Sequence, residues 1–326
     1  MTTTRNQRPE TDTRVVSPSR PFAEPEAWKL VGNTPLIPWS DPRGSAGRIF
    51  IKAEWSNVGG SVKDRPAREI LRTGIATGAL PGRRLLDASS GNTAVAYALL
   101  GAAAGIGVTV CVPRNASLER MALLDAYGAE LVETDPLLGS DGAIRAARDL
   151  VAQHPDRYWY ADQYGNPANS RAHYLTTGPE IWRDTSGAIT HFVAGIGTSG
   201  TLMGTGRFLR ERSAAVRLVG VQPDHALHGL EGLKHLATAM VPAIYTPDLV
   251  DETVFMSTER ADETVRDLAR TQGLFIGWSA GAALAAAIGI LREADRAGTR
   301  PPVIVVIAPD SGNRYLSESR RRLQEV

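Results

Sequence analysis

From Arg48 onward, short runs rich in β-branched residues alternate with amphipathic or alanine-rich stretches, and this alternation constrains the architecture more than any other feature. A chain that passes strand, helix, strand returns each strand in the same sense, so its sheets are largely parallel and helices cover their faces. Strands are expected over residues 49–53, 84–88, 108–112, 130–133, 191–194, 217–221, 274–277 and 303–307, with a helix over 92–104. A chain of 326 residues can build two such units, each with its own core, and the Gly/Pro/Asn-rich stretch 164–169 reads as the crossing between them.

In sheets of this kind ligands bind beyond the carboxyl ends of strands, where loops enter helix N-termini. Four loops there are rich in Gly, Ser or Thr. Gly195-Ile196-Gly197-Thr198-Ser199-Gly200-Thr201 follows the strand at 191–194 and leads into a helical stretch. Small residues let backbone N–H groups approach an anion, and a helix N-terminus adds roughly half a positive charge, so this is a phosphate cradle. Its spacing also satisfies G-x-G-x-x-G, and Asp224 lies where a ribose-binding acid could stand, which keeps a dinucleotide open. The plainer alternative is a glycine turn needed only for close packing.

Gly277-Trp278-Ser279-Ala280-Gly281 fits the G-x-S-x-G of a hydrolase nucleophile elbow. Such a hydrolase needs a histidine after the serine, and all six histidines precede Ser279, so this reading is set aside. None of His154, His173, His191, His225, His228 and His235 has metal-ligand spacing, and all are expected to be polar surface or loop residues, with no metal bound. Ser89-Ser90-Gly91-Asn92-Thr93 is a second anion-binding helix start. Lys63 follows the Gly59-Gly60 turn at the opening of a helix. A lysine there is ordinarily solvated, but two anion sites, one lysine and one isolated serine make better sense as one site than as four accidents.

A formal net charge of +1 leaves no footprint for nucleic acid or an anionic membrane, and the longest apolar stretch, 280–291, is too short to span a bilayer. The single cysteine, Cys111, lies in an apolar strand and is expected to be a buried, inert thiol. Residues 1–26 carry no apolar core and several acids, so neither a secretory nor a transit signal is expected, and the protein is expected to be cytoplasmic.

These loops, in this order, resemble the cysteine synthase family of fold-type II pyridoxal-phosphate enzymes, the tryptophan synthase β-like group. The resemblance runs through Val31-Gly32-Asn33-Thr34-Pro35-Leu36, Gly60-Ser61-Val62-Lys63-Asp64-Arg65-Pro66, Ser90-Gly91-Asn92-Thr93, Gln163-Tyr164-Gly165-Asn166-Pro167-Ala168-Asn169 and Arg314-Tyr315-Leu316-Ser317. It implies two three-layer α/β/α lobes with pyridoxal 5′-phosphate in a cleft between them. The implied division is a flexible arm over 1–28, a smaller mobile lobe over 56–165 that takes the substrate carboxylate, and a larger phosphate-binding lobe of 29–55 plus 166–326. By the same resemblance Lys63 carries the cofactor as a Schiff base and acts as the catalytic base. Gly197, Thr198, Ser199, Gly200 and Thr201 bind its phosphate, Ser279 faces its ring nitrogen and Asn92 its ring oxygen. Ser89, Ser90, Gly91, Asn92 and Thr93, with Gln163, hold the substrate carboxylate. Ala94, Val58 and Ser199 depart from the family's common Gly, Pro and Gly, which leaves the donor preference open.

The implied reaction is β-replacement on O-acetyl-L-serine or O-phospho-L-serine through an aminoacrylate, giving L-cysteine or S-sulfocysteine. The segment 227–245 resembles the cysteine synthase B branch, able to use thiosulfate, while 163–180 and 191–211 resemble relatives that use phosphoserine and take sulfur from a carrier protein with a C-terminal thiocarboxylate. Lys234 and His235 would then favour an anionic nucleophile. A homodimer is implied. Rival expectations are another nucleophile (diaminopropionate or cyanoalanine synthesis), a serine/threonine dehydratase, a nicotinamide-dependent oxidoreductase and a pocket that binds without turnover.

Overall fold

The computed structural model describes residues 22–316. The expected N-terminal arm, up to residue 21, and Ser317 of the C-terminal motif lie outside the described residues. In chain order the elements are α1 (Glu26–Lys29), β1 (Leu36–Trp39), β2 (Arg48–Ala53), α2 (Asp64–Ala76), β3 (Arg84–Ala88), α3 (Asn92–Ala104), β4 (Val108–Pro113), α4 (Leu118–Ala126), β5 (Glu130–Thr134), α5 (Gly139–Gln153) and β6 (Tyr158–Tyr160). They continue as α6 (Pro167–Leu175), α7 (Thr177–Asp184), β7 (His191–Gly195), α8 (Gly200–Arg212), β8 (Arg217–Pro223), β9 (Glu252–Met256), α9 (Thr258–Gln272), α10 (Trp278–Ala297) and β10 (Val303–Ala308). The fold is α/β with mostly parallel sheets, as the alternation of runs predicts.

The described residues form two compact units, one of 22–31 with Lys63–Asn169, the other of Gly32–Val62 with 170–316. In the first, a parallel sheet has the strand order β5-β4-β3-β6. All six residues of β4 are buried, the continuous apolar run of a strand covered on both faces. Leu86, Cys111 and Val132 pack against Ile144 and Ala147 of α5. α3 is apolar around its whole circumference and buried from Thr93 to Gly101, ending at Gly105 in the left-handed conformation (φ +69°).

The second unit has the strand order β1-β2-β10-β7-β8-β9, with only the β1–β2 pair antiparallel among the described residues. Its strands sort their side chains two ways. Ile49, Ile51, Val193, Val219, Val221, Ile304 and Val306 face α9 and α10. Phe192, Ala194, Leu218, Val305 and Ile307 face the side covered by α7 and α8. Strand alternation thus feeds two cores, where each fully buried Val, Leu or Ile stabilises by about 1.5–3 kcal/mol.

One expected strand is absent. Residues 274–277 form only an isolated antiparallel bridge, Ile276 to Ser311. Three strands escape the sequence patterns: β1, β6 and β9. β1 contains Pro38, tolerated because β1 is an edge strand.

Candidate active site

In the second unit, the turn that leads to Lys63 is fixed at several points. Gly60 closes it by donating its N–H to the Asn57 carbonyl at 2.8 Å, and does so at φ +76°, which L side chains avoid. Arg314 donates to the Gly59 carbonyl, and a Cβ on Gly60 would stand 2.6 Å from the Arg314 guanidinium. Ser61 then bridges Asp310, and Val62 N–H donates to the Pro309 carbonyl at 2.8 Å, so the end of β10 holds the chain just before Lys63. Lys63 is half-buried and caps the start of α2.

A buried polar network backs this turn. Asn57 accepts the Gly32 N–H at 2.8 Å and donates to Glu54 Oε2 at 2.9 Å, while Thr34 donates to Glu54 Oε1 at 2.7 Å. Lys52, fully buried, donates to the Thr34 carbonyl at 2.6 Å and pairs with Glu180 at 2.8 Å. Burial without such partners would leave the charges uncompensated.

The 195–201 loop, the expected phosphate cradle, packs closely against the chain at 232–233. A Cβ on Gly197 would fall 2.1 Å from the Gly232 carbonyl oxygen, and one on Gly195 would fall 2.5 Å from Leu233. Ser199 caps α8 in the left-handed conformation (φ +66°), where glycine is the usual residue, and the first-turn amides of α8 have no partner within the helix. Its hydroxyl is buried with no hydrogen-bond partner among the described residues. A buried hydroxyl beside a helix N-terminus fits a multi-oxygen anion such as a phosphate. Thr201 Oγ1 lies 3.2 Å from Nε2 of His173, whose Nδ1 lies 2.9 Å from Thr177 Oγ1. His173 is 1% exposed. The expectation of a surface or loop histidine is therefore corrected: α6 turns this ring inward, where its two nitrogens lie within hydrogen-bond distance of two hydroxyls.

In the first unit, the 89–93 loop joins β3 to α3. Ser89 N–H donates to the Cys111 carbonyl, Ser89 Oγ accepts from Gly91 N–H, and Arg120 donates to the Ser90 carbonyl at 3.4 Å. Asn92 is the first residue of α3. Gln163 is locked to this loop: Thr93 donates to its Oε1 at 2.7 Å, and its Nε2 donates to the Ala88 carbonyl at 2.8 Å. Asp87, missed in the sequence, accepts from Ala88 N–H at 2.8 Å and Gln163 N–H at 3.1 Å. Burial pushes its carboxyl up to about 7, partly offset by those two N–H groups. The signal was present as an acid inside the apolar run Leu85-Leu86-Asp87-Ala88.

Ser279 is buried in the first turn of α10. With no strand before it, the nucleophile-elbow geometry is absent, and the flanking glycines have packing reasons. A Cβ on Gly277 would meet Asp310 at 2.0 Å, and one on Gly281 would meet Val265 at 2.5 Å and the Ala261 carbonyl at 2.7 Å. Lys234 is buried and its N–H donates to the Ile196 carbonyl of the cradle at 2.9 Å. His235 is half-buried, its ring 2.9 Å from Thr238 Oγ1. Among the described residues no group of three or more His, Cys, Asp or Glu could hold a metal, and no helix is long and apolar enough to cross a membrane.

Known proteins share this architecture and sequence. The family model described as pyridoxal-phosphate dependent enzyme matches residues 27–310. The cysteine synthase of Aquifex aeolicus is 47% identical over 89% of this chain and 90% of that protein. The cysteine synthase B of Pseudomonas aeruginosa is 40% identical over 88% of this chain and 94% of that protein. The crystal structure of the cysteine synthase of Entamoeba histolytica superposes with a TM-score of 0.84 at 33% identity, covering 96% of this chain and 93% of that one. The chain therefore belongs to the pyridoxal-phosphate-dependent enzymes and, within them, is an enzyme of the cysteine synthase type.

Proposed function

We propose that the enzyme replaces the β-substituent of O-acetyl-L-serine or O-phospho-L-serine with a sulfur nucleophile, giving L-cysteine or S-sulfocysteine. The observation that carries this reading is the locking of Gln163 to the 89–93 loop through Thr93 and Ala88, which makes a rigid polar rim suited to a carboxylate. Lys63 is assigned the cofactor's aldehyde, Gly197, Thr198, Ser199, Gly200 and Thr201 its phosphate, Asn92 its ring oxygen and Ser279 its ring nitrogen. The buried Ser199 hydroxyl, without a hydrogen-bond partner among the described residues, supports the phosphate assignment.

When bound, pyridoxal phosphate supplies an electron sink that acidifies the α-proton of an amino acid. Lys63 Nζ is the base that takes this proton and later returns one to Cα. Ser89, Ser90, Gly91, Asn92, Thr93 and Gln163 orient the substrate through its carboxylate. Ser279 offers a neutral hydroxyl rather than a carboxylate, which favours loss of the β-substituent over amino transfer. Lys234 and His235 favour an anionic nucleophile, thiosulfate or a protein thiocarboxylate, and the hydrogen bond from Lys234 N–H to the cradle's Ile196 supports their nearness to the chemistry. Within this reading the 56–165 lobe is the mobile, carboxylate-binding one, and the enzyme works as a cytoplasmic homodimer.

The test is to mix the holoenzyme with each activated serine, follow the cofactor absorbance, and then add sulfide, thiosulfate or a thiocarboxylated carrier protein. A spectral change with O-acetyl- or O-phospho-L-serine, reversed by one sulfur nucleophile with release of the sulfur amino acid, is expected. Ammonia and a keto acid formed without any nucleophile would show a dehydratase instead.

A further inference from the structure

Asp87 takes no part in the steps above, yet it occupies a singular position. It is 1% exposed, near the carboxyl end of β3, and its two oxygens accept from two separate stretches of chain. Oδ1 takes the N–H of Ala88, the residue that opens the 89–93 loop, at 2.8 Å. Oδ2 takes the N–H of Gln163, 76 residues away in sequence, at 3.1 Å. The side chain of Gln163 then returns to the Ala88 carbonyl at 2.8 Å and receives Thr93, while Asn169 donates to the Gln163 carbonyl at 2.7 Å. One carboxylate thus closes a ring of hydrogen bonds joining the loop to the glutamine. An apolar residue here would remove the acceptor of the Ala88 and Gln163 N–H groups and with it the link between the two stretches.

We propose that Asp87 is a positioning residue for the substrate carboxylate, holding the 89–93 loop and Gln163 in register with each other through its two oxygens. This rests on the proposed β-replacement reading. Asp87 touches no substrate in it and acts through Ala88 and Gln163. Ionisation matters because the charged form accepts on both oxygens, whereas the protonated form surrenders part of that capacity. The groups around it are Tyr97 of α3, Cys111 of β4, Tyr160 of β6, Asp162 and Tyr164. Of these, Tyr97 favours the ionised form and Asp162 opposes it, while burial opposes it most.

The experiment uses the holoenzyme and whichever of O-acetyl- and O-phospho-L-serine it turns over. Asp87→Asn keeps the shape but leaves one acceptor for two N–H groups. It is expected to raise the amino-acid KM roughly tenfold, the scale of one charge-assisted hydrogen bond, with kcat within about twofold and cofactor content unchanged. The wild-type KM is expected to rise as pH falls through about 7, and this inflection to vanish in Asp87→Asn. Tyr97→Phe, which removes only a hydroxyl, is expected to move the inflection to higher pH, and it carries the test if Asp87→Asn does not fold. An unchanged KM in Asp87→Asn, a retained inflection, or an inflection unmoved by Tyr97→Phe overturns the proposal. A wild-type holoenzyme that responds to neither serine ester removes the β-replacement reading itself, and this proposal with it.

Discussion

Nε2 of His173 lies 3.2 Å from Oγ1 of Thr201, so a buried imidazole on α6 sets the rotamer of a hydroxyl in the first turn of α8. Thr177 takes the other ring nitrogen at 2.9 Å, which fixes the ring plane. If Thr201 receives the cofactor phosphate, His173 tunes that grip without touching it. His173→Ala is expected to raise the dissociation constant for pyridoxal phosphate about tenfold, the cost of one disordered hydrogen bond, measured by cofactor fluorescence on dilution. An unchanged constant would separate this histidine from the cradle.

Gly197 has no room for a side chain, since the Gly232 carbonyl would sit 2.1 Å from a Cβ. Backbone, unlike the end of a flexible side chain, yields poorly. Gly197→Ala is expected to lower stability by about 1–3 kcal/mol and to weaken cofactor binding together, read by thermal unfolding of apo and holo protein. A variant as stable as the wild type and fully loaded would contradict the cradle geometry.

Much of this was legible in the sequence, and the misses have physical causes. The β4 run and helix 92–104 are apolar throughout and flanked by turn residues, so pattern and structure agree. Residues 274–277 are equally apolar in look, but Leu274 and Phe275 are spent packing beside α9 and α10, and only Ile276 pairs. β6 has three residues, too few for alternation to register. The 89–93 and 195–201 loops announced themselves through small residues at strand ends. His173 and Asp87 did not, because their roles depend on partners 28 and 76 residues distant that no local pattern exposes.

Lys52 is fully buried and answered by Glu180 at 2.8 Å, with Asp184 at 3.6 Å. Glu180 also accepts the Asn33 N–H at 3.0 Å. Removing one partner of such a pair strands the other charge. Glu180→Ala is expected to cost about 3 kcal/mol in a denaturant titration, offset in part by Asp184. A loss under about 0.5 kcal/mol, the range of a surface pair, would show that the network is not needed for stability.

Cys111 is buried in β4, and burial pushes its thiol up to about 12, with Asp87 adding to the shift. Because the folded pKa is raised, the thiol stays protonated across the whole working range, and only unfolding restores its ordinary acidity. A disulfide-exchange reagent at pH 8 is expected to leave Cys111 unmodified in the native enzyme and to label it at once in denaturant. Rapid native labelling would place it elsewhere than in the core.

The most direct test concerns Lys63, half-buried at the head of α2. The purified enzyme, reduced with borohydride, digested and analysed by mass spectrometry, is expected to carry the cofactor's mass on the peptide containing Lys63 and on no other, and Lys63→Ala is expected to abolish turnover. An unmodified Lys63 peptide, or a Lys63→Ala enzyme that still works, would contradict it.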